Sequence, residues 1–448
     1  MGVVIESEVW ENNQPLSIFI CVSCLLSIVC LPQNSSRSST VFDQSPPFSL
    51  LRFQRNFLLV FCTASVMEGM WSVFGEYEMA YFGINREQMM SSLIITSASA
   101  LFFGTSLGML SDLIGRKKVS LIFCILHLLV AVFKTLFSHP SIWLASVCLS
   151  LASSIFIFSF ETWMVVEHDK LGHRLDSLNE MFWLMTFLES ASSISSQVIT
   201  NWLISNNIEK NTVSPSNFTA LLALITIIFI SKEWKESPLT TFKEYQLSFK
   251  THIFYDKRIW LLGWAQSCVH FSVAVFWILW APTIVADGRE VHLGMIYPCL
   301  LGGRMLGSTM FPWFINGPLS IRTEDCLVYA FITAGIVMSI VAYDYQEVGI
   351  LVGLFCLFHM CIGLILPSLA RLRTFYVPNE LRGGMISLSL APANAAILFC
   401  LFQRGYNESI ENSTMIAFSG IGLLSAAISM HFLKQSGKQS PHQNFHKH

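Results

Sequence analysis

Four ionisable side chains lie inside long apolar runs: Glu68, Glu161, Glu189 and Arg304. Each costs roughly 2.5–3.5 kcal/mol in hydrocarbon, so such residues normally face a partner or a water-filled cavity. Arg304 has the sharpest chemistry. A guanidinium stays protonated, and its planar fork of donors matches the oxygens of an oxyanion. It is the one cation that the apolar pattern puts well inside a span, which makes it the expected contact for an anionic substrate. The alternative is an ion pair with Glu68 or Glu189 that merely neutralises it. Both hold in sequence if the pair opens when the anion binds.

His270 and His359 fall in two further apolar runs. Imidazoles titrate near neutral pH, so either could supply a pH-dependent positive charge for proton coupling, or serve as a hydrogen-bonded structural residue. Residues 189–197 read Glu-Ser-Ala-Ser-Ser-Ile-Ser-Ser-Gln. That density suggests a wetted helix face, although small residues also serve close helix packing.

The elements that must hold these side chains follow from composition. Only 12% of the 448 residues are charged and 53% are hydrophobic, with a mean hydropathy of +0.55. Soluble domains carry about 25% charged residues, so a soluble multidomain enzyme is excluded. Runs long enough to span about 30 Å of hydrocarbon recur along the chain. The pattern predicts an extra helix near 15–32, then twelve spans at 55–76, 88–110, 119–137, 141–164, 179–204, 217–231, 259–282, 291–315, 325–343, 347–369, 383–403 and 413–433. The leading segment carries Glu6, Glu8 and Glu11 and no Lys or Arg, unlike the basic start of a secretory signal, so the first helix is expected to be retained.

Lys and Arg set the orientation. With the loop before the first of the twelve spans on the cytoplasmic side, 21 of the 27 fall there and five on the other face. The Asn217, Asn407 and Asn412 sequons then lie outside and Asn34 inside. The longest polar stretch between spans, 232–258, divides six from six and is rich in lysine, which predicts a cytoplasmic connector, partly amphipathic and resting on the lipid surface. The expected organisation is an N-terminal segment (1–54), a six-helix bundle (55–231), the central loop (232–258), a second six-helix bundle (259–433) and a cytoplasmic tail (434–448). Two six-helix halves joined by a basic loop suit a rocking transporter with its substrate near the midplane.

The net charge of −2 gives no sign of nucleic-acid binding, and the twelve cysteines, all in or beside apolar runs, imply neither a disulfide framework nor a zinc site. ATP-binding and hydrolase motifs are missing, so neither enzymatic activity nor a cofactor is expected, and no obligate protein partner is implied.

Between the second and third spans the chain reads Gly108-Met-Leu-Ser-Asp112-Leu-Ile-Gly115-Arg116-Lys117-Lys118. This resembles the G-x-L-x-D-x-x-G-R-[RK] signature of the major facilitator superfamily, in the position where that family carries it. Physically, Gly108 lets two helices approach closely. Asp112 suits the N-terminus of the eleventh span, where the helix dipole favours an anion. Arg116 is expected to pair with Glu161 at the foot of the fourth span, completing a conformational latch. The corresponding place in the second half keeps Leu306-Gly307 but not the charges.

LRFQ (51–54), FSFETWMVVEH (158–168), LLGWAQ with ILWAPTI (261–266, 278–284) and GLILPSLARLR…VPNE (363–380) are similar to segments of the molybdate-anion transporter branch of that superfamily. The resemblance covers residues 50–433. It implies an all-helical polytopic membrane protein with the major facilitator fold, in which Glu68, Glu161, Glu189 and Arg304 point into a central cavity. Gln266, Trp280, Pro282 and Pro367 match the branch, which adds Gln266 to the candidate substrate contacts. Several positions depart from it: Glu68 stands for an aspartate, His270 and His359 for glutamates, and the arginine of the eleventh span is missing where the chain reads Ser387-Leu-Ser-Leu390-Ala-Pro392. The expected function is secondary active transport of a small inorganic oxyanion, molybdate-like, with coupled protons. A facilitator of another solute such as an organic anion, and a non-transporting receptor or scaffold, are the alternatives. The plasma membrane is the default location, with an endomembrane as the alternative.

Overall fold

The computed structural model describes residues 14–29, 48–81, 85–137, 141–172, 175–210, 215–235, 241–286, 291–317, 320–343, 347–407 and 411–438. Glu6, Glu8, Glu11, the Asn34 sequon, Arg289 and the end of the tail lie outside the described residues.

The extra N-terminal helix is α1 (Gln14–Val29). The first span is α2 (Phe48–Tyr81), longer than the apolar run that foretold it. The second is one rod: α3 (Arg86–Ser99) passes through a π-turn at Ala100–Gly104 into α4 (Thr105–Ile114). Then come α5 (Arg116–Leu136), α6 (Ile142–Lys170), α7 (Leu175–Lys210) and α8 (Pro215–Glu233). A short helix, α9 (Phe242–Phe249), occupies the central segment. The second half holds α10 (Lys257–Ile284), α11 (Leu293–Asn316), α12 (Thr323–Tyr343) and α13 (Val348–Tyr376), then α14 (Arg382–Ser389) leading into α15 (Ala391–Asn407), and α16 (Asn412–Lys438). Among the described residues, nine helices are long and apolar enough to cross a membrane.

Local chemistry sets the helix ends. Gly115, at φ 111°, turns the chain sharply between α4 and α5, a backbone that side-chain-bearing residues avoid. Asp256 starts α10 by accepting the Arg258 amide at 2.9 Å. The tenth span runs two turns past the expected 369, because the first strong stop is Val377, held extended by Pro378.

The helices pack as two groups. In the first, α2 lies on α7 and α8, and α5 on α6 and α8; in the second, α16 packs on α10 and α12, and α11 on α13. The groups meet along two seams, α7 against α11 and α3–α4 against α14–α15, and α1 lies on α11. At the second seam Gly108 has no room for a side chain. A Cβ there would run into the Gly383 carbonyl and the Ser387 hydroxyl, so backbone meets backbone.

The end of the molecule where the basic residues gather is also closed by aromatic rings. Trp163 of α6 and Trp234, just past α8, stack at 3.7 Å with planes 9° apart, and Phe57 of α2 stacks on both. The central segment therefore does more than rest on a lipid surface. Phe242 and Leu247 of α9 are exposed as expected, but Tyr245 and Phe249 are buried against the helices above.

Candidate transport cavity

A cavity of about 900 Å³ lies between the two groups, walled chiefly by α2, α6 and α7 on one side and α10, α11 and α13 on the other. Its lining runs from Glu161 and Arg373 near the basic end to Pro282 and Val285 at the other, where both residues are exposed. The cavity thus reaches the surface at one end and stops on buried side chains at the other.

The floor is an ion-pair cluster. Arg373 of α13 grips Glu161 of α6 with both arms of its fork, its Nε donating to Oε1 at 2.9 Å and Nη2 to Oε2, while Nη1 donates to Gln266 Oε1 at 2.8 Å. Arg382, whose side chain has no exposed surface, stands 3.5 Å from the same carboxylate. One carboxylate therefore serves two guanidiniums from the opposite half. Tilting α6 away from α13 would break the floor.

The expected Arg116–Glu161 pair does not form. Arg116 turns back one helical turn to Asp112 at 3.2 Å and donates to the Asn379 carbonyl at 2.5 Å, leaving Glu161 to Arg373 and Arg382. Asp112 sits where the motif suggested. Its Oδ2 accepts the Gly384 amide in the first turn of α14 at 2.8 Å, and Tyr245 of α9 donates to the same oxygen at 3.3 Å. Burial, and then the charge of Asp112, raise the Tyr245 phenol well above its usual range, so the tyrosine remains a donor.

Midway up the cavity, Arg304 of α11 donates from Nη2 to Glu189 Oε1 of α7 at 2.8 Å, a pair that also bridges the halves. Its Nε is buried and makes no hydrogen bond among the described residues. Neutralisation is thus one part of what Arg304 does. Glu68 lines the same cavity but pairs with His127 Nε2 of α5, at 3.1 Å, rather than with Arg304. His270 also lines it, with Nε2 3.3 Å from Asn394 Oδ1.

His359 departs from expectation. Its side chain is buried behind the wall, ringed by Phe276, Trp277 and Phe358 at centroid distances of 4.5, 5.2 and 5.5 Å, and neither nitrogen has a hydrogen-bond partner among the described residues. Identity alone could not tell which side of α13 faces the wall. The serines of α7 divide as well. Ser193 lines the cavity, whereas Ser190, Ser192 and Ser196 are buried, and Ser196 bonds the Val66 carbonyl of α2 at 3.1 Å.

Arg373, Arg382, Tyr245 and His127 were missed by sequence reasoning. Both arginines were counted as loop charges, Arg373 because the tenth span was ended too early and Arg382 because the eleventh was started one residue past it. Tyr245 was hidden in a polar connector, and His127 lay in an apolar run beside no other charge.

The sequence matches a family described as sugar transporters with twelve transmembrane segments, MFS_5, over residues 18–363. Among curated proteins it is similar to the molybdate-anion transporter of Danio rerio, 23% identical over 435 residues, covering 88% of this chain and 86% of that one. The molybdate-anion transporter of Xenopus tropicalis is 22% identical over 345 residues, 74% of each chain. Among solved structures, a bacterial homologue of the iron transporter ferroportin in an outward-facing state superposes with a TM-score of 0.66 at 14% identity, over 86% of this chain and 100% of that one. The human organic anion transporter MFSD10 gives a TM-score of 0.62 at 12% identity, over 86% of this chain and 100% of that one. Family, apolar helices and fold together make this an integral, multi-pass membrane transporter rather than an enzyme. The chain belongs to the MFS_5 family of the major facilitators, a divergent member alongside the molybdate-anion transporters.

Proposed function

We propose that the protein is a secondary transporter of a small inorganic oxyanion of the molybdate type, working by alternating access. One observation carries this reading: Arg304, lining the cavity at its middle, is held to Glu189 by a hydrogen bond of 2.8 Å, and its Nε has no partner among the described residues. An oxyanion entering from the open end would exchange with Glu189 for that guanidinium. Breaking a pair that ties α7 to α11 loosens one seam at the moment of binding. Arg373, with Gln266, offers the next cationic station at the floor, and its release from Glu161 would open the basic end. In this cycle residues 55–231 and 259–433 rock as units, joined by the 232–258 segment. The basic end faces the cytoplasm by the distribution of Lys and Arg, with the plasma membrane as the default location and an endomembrane as the alternative.

A second reading, transport of an organic anion, is favoured by size. The cavity of about 900 Å³ is far larger than a tetrahedral oxyanion requires and falls in the range of pockets for drug-sized ligands. Uptake of labelled molybdate into cells expressing the protein, with sulfate and a panel of organic anions as competitors, separates the two. We expect saturable molybdate uptake, lost in Arg304→Gln at equal surface expression. Molybdate uptake unchanged by that substitution refutes the role of Arg304, and block by organic anions with no molybdate flux favours the second reading.

A further inference from the structure

The cavity wall changes character along its depth. Among the described residues, its ionisable lining, Glu68, Glu161, Glu189, His270, Arg304 and Arg373, lies at the middle and the floor. Nearer the open end the first half presents uncharged polar groups, Ser72, Ser193 and Gln197, and Gln197 Nε2 donates to the Gly294 carbonyl at 2.8 Å. The wall opposite them is aromatic, made by Trp277 and Trp280 of α10 and Tyr297 of α11. Trp277 stands 6.2 Å from Trp280 with planes 85° apart, and 5.5 Å from Tyr297 at 50°. Trp280 and Tyr297 are 6.4 Å apart at 45°. Such spacings leave no slot between the rings, so the three form one continuous surface. Phe276 meets Trp277 edge-on at 5.2 Å, and the sealed His359 ring lies 5.2 Å from it, which fixes the surface from the rear.

We infer that this surface is a ring-binding subsite, and that the cavity takes aryl oxyanions: a flat aromatic body carrying one sulfonate or sulfate head. The inference rests on the transport reading of the same cavity and names a substrate class for it. Tyr297 and Arg304 are seven residues apart on α11, so they share a helix face and stand about 10 Å apart along its axis. A head group on Arg304 therefore leaves a two-ring body lying along Tyr297, Trp277 and Trp280. Arg304 has the donor for it, since its buried Nε is without a partner among the described residues. A bare inorganic oxyanion at Arg304 would leave the aromatic wall in contact with water. A ring removes that apolar surface from water and adds the preference of π-systems for offset and edge contacts.

Two other occupants suit aromatic walls in general. A cation is drawn to ring faces, but here the charged group two turns below Tyr297 on the same helix face is a guanidinium, which repels it. A neutral sugar can lie on a ring, but it supplies no charge to replace Glu189 on Arg304. The aryl oxyanion is the occupant that satisfies both levels of the wall at once.

The test is calorimetric titration of the purified full chain in lipid nanodiscs with naphthalenesulfonate and with methanesulfonate, which share a head and differ in the ring. Naphthalenesulfonate should bind about thirtyfold more tightly. Trp280→Leu and Tyr297→Leu keep apolar bulk but remove a ring, and each should cut that ratio about threefold, the double variant about tenfold. Arg304→Gln should weaken both sulfonates and leave their ratio in place. A parent that binds neither sulfonate, or both equally, overturns the proposal. So does a ratio untouched in the double variant, or naphthalenesulfonate binding indifferent to Arg304→Gln. Displacement of naphthalenesulfonate by benzyltrimethylammonium or by glucose, as effective as by methanesulfonate, assigns the wall to a cation or a sugar and overturns it as well. Titration and molybdate uptake fail separately. Molybdate flux in a chain that binds the two sulfonates equally removes the ring subsite and leaves the inorganic oxyanion. A ring-dependent ratio without molybdate flux keeps the subsite and removes molybdate.

Discussion

Replacing Glu161 with glutamine is the severest single test of the cavity floor. The substitution removes the one carboxylate shared by Arg373 and Arg382, whose side chains are 7% and 0% exposed. Stripping a buried ion pair of one partner costs about 3–5 kcal/mol, because the remaining charge stays desolvated. Glutamine keeps one acceptor, so the lower figure, about 3 kcal/mol, is the working value. That cost falls on the conformation closed at the basic end. Once α6 parts from α13, water reaches both guanidiniums and the difference between the side chains shrinks. At about 1.4 kcal/mol per factor of ten, the closed population should drop roughly 150-fold relative to the open one. Spin labels on Lys170→Cys and Phe375→Cys, exposed positions at the basic end on α6 and α13, report this directly by pulsed electron resonance in a background freed of native cysteines. The parent should show the short separation of the closed floor, and the Glu161→Gln variant a majority of longer distances. An unchanged distance distribution in a folded, monodisperse variant would mean that the cluster does not hold the floor shut.

Two further outcomes concern the latch. Tyr245→Phe deletes a donor to Asp112 and should weaken the closed conformation by about 1 kcal/mol, a shift of roughly fivefold on the same spin-label pair. No shift would make α9 a bystander. Gly108→Ala forces α4 off the Gly383 carbonyl at an overpacking cost of about 1–3 kcal/mol, so it should lower the melting temperature and lengthen the closed distance together. A variant as stable as the parent, with the parent distance, refutes the backbone contact.

The fold could be read from the chain because a membrane makes its demands in long, local runs. Twelve apolar spans, the lysine-rich break after the sixth and the Gly108–Arg116 motif each declare themselves within a few dozen residues. What failed needed facing information. His270 and His359 looked equivalent in sequence, yet one turns to the cavity and the other is sealed among rings, since helix rotation is set by neighbours far along the chain. The partner of Glu161 was misassigned for a related reason. Arg116 was nearer to the motif, but Arg373 is delivered by two extra turns of α13 that the charge of Arg371 and Arg373 disguised as loop. Glu68–His127 needed two side chains to meet between α2 and α5, which no local pattern encodes.

Helix α1 has divided allegiance. It precedes the first half in sequence, yet it rests on α11, where Cys24 Sγ meets the Gly302 carbonyl at 3.6 Å and Trp313 Nε1 donates to the Ser27 carbonyl at 3.4 Å. A polypeptide cut within the central segment would therefore leave its front fragment still clasping its rear one.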